Sequence, residues 1–178
     1  KTKETIHKEN NVQVKLDIEK CYFSPRLNNE RLRIAKQIKK GEEVLVMFSG
    51  IGIYNEVIAK NSQAEQIYGI EINPTAHKYA IENQKLNIIS NITLLKGNVE
   101  KVLPKLNKKF DRIIMPLPKE AINYLSLASE YINKKGIIHL YTFIEETKIK
   151  NLNSLIKNHL KKFKIIRKVK CGEYSPRV

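Results

Sequence analysis

VLVMFSGIG, residues 44–52, decides the fold. VLVMF is a short continuous apolar run, the pattern of a strand buried on both faces of a parallel sheet, and it stops at the turn signal Ser49-Gly50. Gly50 and Gly52 let backbone approach a ligand closely, and a helix expected over 53–60 puts unpaired amide donors beside the turn. The rhythm repeats downstream. QIYGIE (66–71) is a second strand, and Pro74 suits the first turn of a helix reaching about Asn87, with Ala76, Ala80 and Ile81 on one face. ITLLKG (92–97) is a third strand, followed by a short helix over 100–106. DRIIMPL (111–117) is a fourth, followed by a helix over 119–132. Lys135-Gly136 launches a fifth strand, GIIHLYTF (136–143). A long helix over 145–162, with Ile149, Leu152, Leu155, Ile156 and Leu160 at helical spacing, leads to a basic strand, FKIIRKVK (163–170). This alternation predicts an α/β fold, a parallel sheet with helices on both faces.

Upstream, VQVKLDI (12–18) alternates as a half-exposed strand and 28–39 reads as a helix. The polar stretch around 40–43 divides a short N-terminal β/α extension, 1–40, from the sheet domain, 41–178. Composition fits: 42% hydrophobic and 29% charged residues over 178 positions exclude a disordered or fibrous chain and suit one domain of this size. No apolar run approaches the roughly 18 residues of a membrane span, so a soluble, cytoplasmic protein is expected. KTKETIHKEN carries no secretory apolar stretch and no initiating Met, which reads as a trimmed or internal start. Cys21 and Cys171 lie 150 residues apart without a CxxC motif, and two aspartates accompany four scattered histidines. Neither a disulfide framework nor an essential metal is expected.

The net charge of +15 is unevenly placed. Residues 1–40 carry +6, residues 41–147 are neutral, and residues 148–178 carry +9. Basic ends around a neutral centre suit a protein that grips a polyanion, nucleic acid above all, while its middle binds something else. The alternative is a general bias towards Lys, which outnumbers Arg 27 to 6.

The middle offers a nucleoside pocket. Ligands of open α/β sheets bind at the carboxyl ends of the strands. Phe48, Gly50 and Gly52 form the turn after the first strand; Glu71 closes the second, 19 residues beyond Gly52, where a carboxylate can accept both ribose hydroxyls. Gly97-Asn98 follows the third, where an amide can meet an adenine edge. Position 55 is Asn rather than the third glycine of a dinucleotide fingerprint, which favours S-adenosylmethionine, a ligand without phosphates.

YFSPRLNNER (22–31), MFSGIG (47–52), IEINP (70–74) and DRIIMPLP (111–118), in this order, resemble the archaeal and eukaryotic class of tRNA guanine-N1 methyltransferases, from about Glu4 to the SPRV terminus. The resemblance implies a Rossmann-like class I S-adenosylmethionine-dependent methyltransferase acting on the purine 3′ of the tRNA anticodon. Members of that family usually carry a small N-terminal RNA-binding domain and a final strand after the SPRV segment, so this sequence is expected to be a catalytic fragment. Tyr22 would line the target pocket, Arg26 contact the base or its phosphate, Glu30 act as general base and Arg31 reach the cofactor. Glu71 and Ile72 would hold the ribose, with Asn98 and Val99 beside the adenine. The family's Asn-Leu-Pro or Asn-Pro-Pro signature reads Pro116-Leu117-Pro118 here, so the Asn amide is replaced by a residue offering only a carbonyl. That departure points to the subgroup that methylates C7 of the tricyclic wyosine precursor in tRNA for phenylalanine. Two other readings compete: transfer of the cofactor's aminocarboxypropyl arm to the same precursor, and a catalytically silent tRNA-binding module. A monomer without a membrane partner is expected.

Overall fold

The computed structural model describes residues 3–171, and it opens with a hairpin. β1 (Glu4–Glu9) pairs antiparallel with β2 (Val12–Asp17) across Asn10 and Asn11, whose φ angles of 43° and 65° fit the two-residue turn that Asn tolerates. A 3-10 turn over Pro25–Leu27 runs into α1 (Asn28–Ala35). β3 (Glu43–Met47), α2 (Ile53–Asn61), β4 (Gln66–Glu71), α3 (Pro74–Leu86), β5 (Ile92–Lys96), α4 (Val99–Val102), β6 (Phe110–Met115), α5 (Leu125–Glu130), β7 (Ile132–Leu140) and α6 (Leu152–Lys157) follow. The five later strands form one parallel sheet in the order β5-β4-β3-β6-β7. Chain direction across the sheet reverses at β3, so the turn after VLVMF stands at the switch point where ligands of this architecture sit.

β3 shows why the sheet is covered on both sides. Val44 and Val46 belong to one buried cluster, with Val12, Val14 and Leu16 of the hairpin, Ile34 of α1 and Val57 of α2. Leu45 and Met47, facing the other way, join Ile113, Met115, Leu125 and Ile156 in a second. The N-terminal hairpin thus shares its core with the sheet. Asn83 of α3 ties it down further: its Oδ1 accepts from Lys15 N at 2.7 Å, and its Nδ2 donates to Lys15 O at 3.1 Å.

Five elements depart from the sequence reading. β1 was not expected, although Asn-Asn between two alternating runs is its signal. The helix expected over 119–132 is a 3-10 turn, Ala121–Tyr124, and the short α5, because β7 begins at Ile132 rather than at 136. Lys135, at φ 70°, and Gly136 are a bulge inside that strand: pairing jumps from Phe110 with Ile132 to Arg112 with Ile137. The helix expected over 145–162 is a 3-10 stretch, Glu146–Asn151, followed by α6; inward apolar anchors begin only at Leu152, and Ile149 is 37% exposed. The segment 163–170 forms no strand among the described residues. Phe163 and Ile165 pack on the core while the adjacent Ile166 is 72% exposed, and its lysines crowd like charges. The SPRV terminus, 175–178, lies outside the described residues.

Candidate active site

The carboxyl ends of β3, β4 and β5 form the floor of one edge. Glu71 organises it. Buried at the end of β4, it accepts from Gly50 N at 2.6 Å through one oxygen and from Asn73 N at 2.7 Å through the other. The carboxylate thereby fixes the glycine turn and retains lone pairs for further donors. Gly50, at φ 57°, has nothing within 4 Å of where a Cβ would stand, so its backbone faces open space. Gly52, at φ 86°, is needed for the opposite reason: a Cβ there would lie 3.1 Å from Ala80 Cβ of α3. Phe48, at φ 60°, turns its ring edge to Tyr124, 5.0 Å between centroids. Asn98 caps α4 by accepting from Glu100 N at 2.8 Å, and Val99 is buried behind it. Ile72 is 63% exposed beside the turn. An open glycine backbone, a buried carboxylate and an exposed apolar side chain have the chemistry to take an adenosine with its ribose, and Gly50, Glu71, Ile72, Asn98 and Val99 are residues that could hold S-adenosylmethionine.

Glu30 stands on the first turn of α1. Arg33 clamps it, Nε donating to one oxygen at 2.6 Å and Nη2 to the other at 2.7 Å, and the Tyr141 hydroxyl donates at 2.9 Å. Burial pulls the Glu30 carboxyl upward, but these donors outweigh it and hold the group below its ordinary value. Tyr141, half-buried and flanked by Tyr54 and Glu30, is pushed upward by desolvation and by these neighbours and stays a donor. The Cys171 thiol also faces this carboxylate, and burial with that neighbour raises it to about 11.

Arg31, which the resemblance directs to the cofactor, is spent elsewhere. Its side chain is 2% exposed and forms a bidentate pair with Glu9 of β1, at 2.6 and 2.5 Å, while Nη2 also donates to Ser24 O at 3.1 Å. Its guanidinium stands 5.4 Å from the Phe23 ring and 5.7 Å from the Tyr54 ring. The structure makes it the bolt between hairpin and α1. Arg26 is exposed on the 3-10 turn, one helical turn before Glu30, and Tyr22 is 85% exposed beside it. Pro116 and Pro118 lie past the end of β6. Leu117 N donates to Met115 O at 3.0 Å, Tyr141 N to the same carbonyl at 3.4 Å, and Phe143 N to Pro118 O at 3.3 Å. His139 is a structural partner of Arg112 at 2.8 Å; burial and that cation hold it near 4. Tyr141 is a site residue the sequence reading missed, and no local signal points it at Glu30. Of the three arginines expected to keep Glu30 ionised, Arg26, Arg31 and Arg33, it is Arg33, at i,i+3, that pairs with it.

The profile of the TRM5/TYW2 methyltransferase domain matches residues 5–171. The chain belongs to this family. It is 39% identical over 179 residues to the Pyrococcus abyssi tRNA (guanine(37)-N(1))-methyltransferase Trm5b, covering 98% of this chain and 52% of that one. To the Saccharolobus solfataricus tRNA 4-demethylwyosine(37)-methyltransferase Taw21 it is 37% identical, covering 83% and 56%. The TRM5/TYW2 chain therefore spans about half the length of these relatives. Among solved structures, Pyrococcus abyssi Trm5b superposes with a TM-score of 0.89 at 39% identity, covering 98% and 53%. A complex of aTrm5 with tRNALeu gives 0.82 at 35%, covering 98% and 50%. Methanocaldococcus jannaschii TYW2 with AdoMet gives 0.81 at 33%, covering 89% and 72%. The TRM5/TYW2 architecture here is the Rossmann-like class I methyltransferase fold, and the family's cofactor is S-adenosylmethionine.

Proposed function

We propose that this chain is the catalytic part of a tRNA methyltransferase, moving the methyl group of S-adenosylmethionine to the purine at position 37, in the anticodon loop of tRNA for phenylalanine. The observation that carries the reading is the placement of Glu30, held anionic by Arg33 and Tyr141, in a chain whose switch-point edge suits an adenosyl ligand. When bound, the cofactor supplies an electrophilic methyl on a sulfonium. Glu30 takes the proton that the target ring atom must lose, Arg26 meets the base or its phosphate, and Tyr22, exposed beside them, stacks on the extruded ring. No covalent enzyme intermediate is involved, and alignment and electrostatics account for the acceleration. The chain works as a monomer in the cytoplasm on a polyanion. Lys157, Lys161, Lys162, Lys164, Arg167 and Lys168 line one groove of about 750 Å³ and track backbone phosphates, so affinity falls as salt rises.

Pro116 bears on the target atom. Its carbonyl cannot supply the amide donor that the family signature offers, so recognition of an N1-H edge is weakened and C7 of the tricyclic wyosine precursor is the favoured acceptor. The intact YFSPRL-ER element favours methyl over aminocarboxypropyl transfer, and the product mass separates the two. The test gives purified protein labelled S-adenosylmethionine with unmodified tRNA-Phe and, separately, with tRNA carrying the tricyclic precursor. A methylated precursor is the expected product; efficient labelling of plain guanosine overturns the choice of atom. Salt-sensitive tRNA binding with no affinity for S-adenosylhomocysteine overturns the enzyme.

A further inference from the structure

Tyr141 belongs to two structures at once. Its backbone N–H donates to Met115 O at 3.4 Å, at the root of the Pro116-Leu117-Pro118 turn, and its hydroxyl donates to Glu30 Oε1 at 2.9 Å, across 111 residues of sequence. Its ring stands edge-on to Tyr54 of α2, centroids 6.0 Å apart, and Tyr54 in turn lies under the Arg31 guanidinium that Glu9 holds. The β7 end, α1, α2 and the hairpin all converge on this side chain.

The donors on Glu30 are unequally shared. Oε1 accepts both the Tyr141 hydroxyl and Arg33 Nη2; Oε2 accepts Arg33 Nε, and the Cys171 thiol is a further, weaker donor to the carboxylate. A carboxylate oxygen has about two lone-pair sites, so Oε1 is filled by strong donors, whereas the second site of Oε2 meets at most a weak thiol donor that a substrate proton displaces. We infer that Tyr141 is a positioning residue for methyl transfer: it saturates one oxygen of Glu30, fixes the carboxylate plane, and leaves Oε2 as the atom that receives the substrate proton. The inference rests on the proposed role of Glu30 as base. Proton balance is simple. At C7 a ring π pair forms the bond to the methyl carbon, the pair of the broken S–C bond stays on sulfur, and the C7 hydrogen then passes to Oε2 as a proton while its bonding pair restores the ring. Tyr141 keeps its own proton throughout.

The same hydroxyl sets the pH at which the base works. Around Glu30 stand Arg33 from its own helix, Tyr54 from α2, His139 and Tyr141 from the β7 end, and Cys171 from the C-terminal segment. His139 is neutral across the working range, and Cys171 and both tyrosines keep their protons there, so Arg33 and the Tyr141 donor, with the weaker Cys171 thiol after them, hold the anion. Tyr141→Phe removes the second of these while leaving the ring that meets Tyr54.

The experiment is single-turnover methylation of tRNA by the complete natural chain, as a function of pH, for the parent, Tyr141→Phe, Glu30→Gln and the double variant. Tyr141→Phe is expected to lower the rate of the chemical step about tenfold or more and to move its acidic limb about one unit towards higher pH, with S-adenosylhomocysteine affinity unchanged. In the Glu30→Gln background the same substitution is expected to change nothing further, since no carboxylate remains to be held. A Tyr141→Phe profile that superimposes on the parent's, or an equal loss in both backgrounds, overturns the inference while leaving Glu30 as base. Parental turnover in Glu30→Gln overturns the base itself, and the role of Tyr141 with it.

Discussion

The two halves of the proposed site are built in different ways. On the cofactor side, every anchoring residue ends a strand or begins a helix of the parallel sheet: Gly50 after β3, Glu71 at the end of β4, Asn98 after β5. Their partners are backbone amides of neighbouring turns, as with Glu71 and the Gly50 and Asn73 N–H groups. On the base side, Glu30 depends on side chains from elements far apart in sequence, Arg33 on α1 and Tyr141 beyond β7, and α1 is itself bolted by Arg31 to Glu9. The first half is an outcome of strand and helix geometry. The second is an outcome of three-dimensional assembly, and it is where a single substitution reaches the chemistry without touching the fold of the sheet.

The largest expected effect separates the halves directly. Glu30→Gln lowers kcat about 10²- to 10⁴-fold, the range of a positioned proton acceptor, and leaves S-adenosylhomocysteine binding at the parental level. Glu71→Ala does the reverse: it strips a buried carboxylate from two backbone N–H groups, weakens S-adenosylhomocysteine about tenfold or more, and spares turnover at saturating cofactor. Calorimetric titration and steady-state kinetics on both variants check the crossover. If both variants lose cofactor and turnover in proportion, the division into two halves is wrong.

Next in size is the bolt. Glu9→Ala leaves Arg31 buried and unpaired, at a cost of about 3–5 kcal/mol for a broken buried pair. Urea unfolding is expected to show a lowered midpoint, and at low temperature the folded fraction should lose turnover while still binding S-adenosylhomocysteine. A midpoint equal to the parent's would mean that α1 is held by its apolar contacts alone.

The sequence discloses the two halves unequally for the same reason. Strand β4 is legible to the residue, because QIYGIE is an apolar run between a polar stretch and Pro74, and the glycine turn announces itself in MFSGIG. Residues 22–31 are legible only as a motif; nothing in them says that Arg31 faces Glu9, since β1 is exposed along much of its length and its pairing follows from the Asn10-Asn11 turn. Tyr141 reads as the end of an apolar strand, and its meeting with Glu30 exists only once β7 has taken its place at the sheet edge. Segments 145–162 and 163–170 were misread because amphipathic spacing shows which residues can face a core, whereas the actual core reaches only Leu152, Ile156, Leu160, Phe163 and Ile165.

The smallest expected effect tests whether the cofactor half is as regular as its backbone suggests. In α2, directly after the glycine turn, Asn55 and Glu56 are fully buried, and none of their side-chain polar atoms has a hydrogen-bond partner among the described residues. A Cβ on Gly69 would stand 2.8 Å from Asn55 Nδ2, so β4 gives up a side chain to make room for that amide. Burial pushes the Glu56 carboxyl up to about 8, against a weaker opposing pull from Lys60. The sign follows from linkage. Between the ordinary carboxylate value and about 8, the unfolded chain releases this proton while the folded chain keeps it, so stability falls as pH rises, by at most about 1.4 kcal/mol per unit. Glu56→Gln, isosteric with the neutral acid, removes that slope. Its unfolding midpoint should equal the parent's near pH 4 and exceed it increasingly towards pH 8, by about 2 kcal/mol or more. Parallel curves across this range would show that Glu56 finds a partner or water in the folded state. The helix behind the cofactor turn would then be as well satisfied as the turn itself.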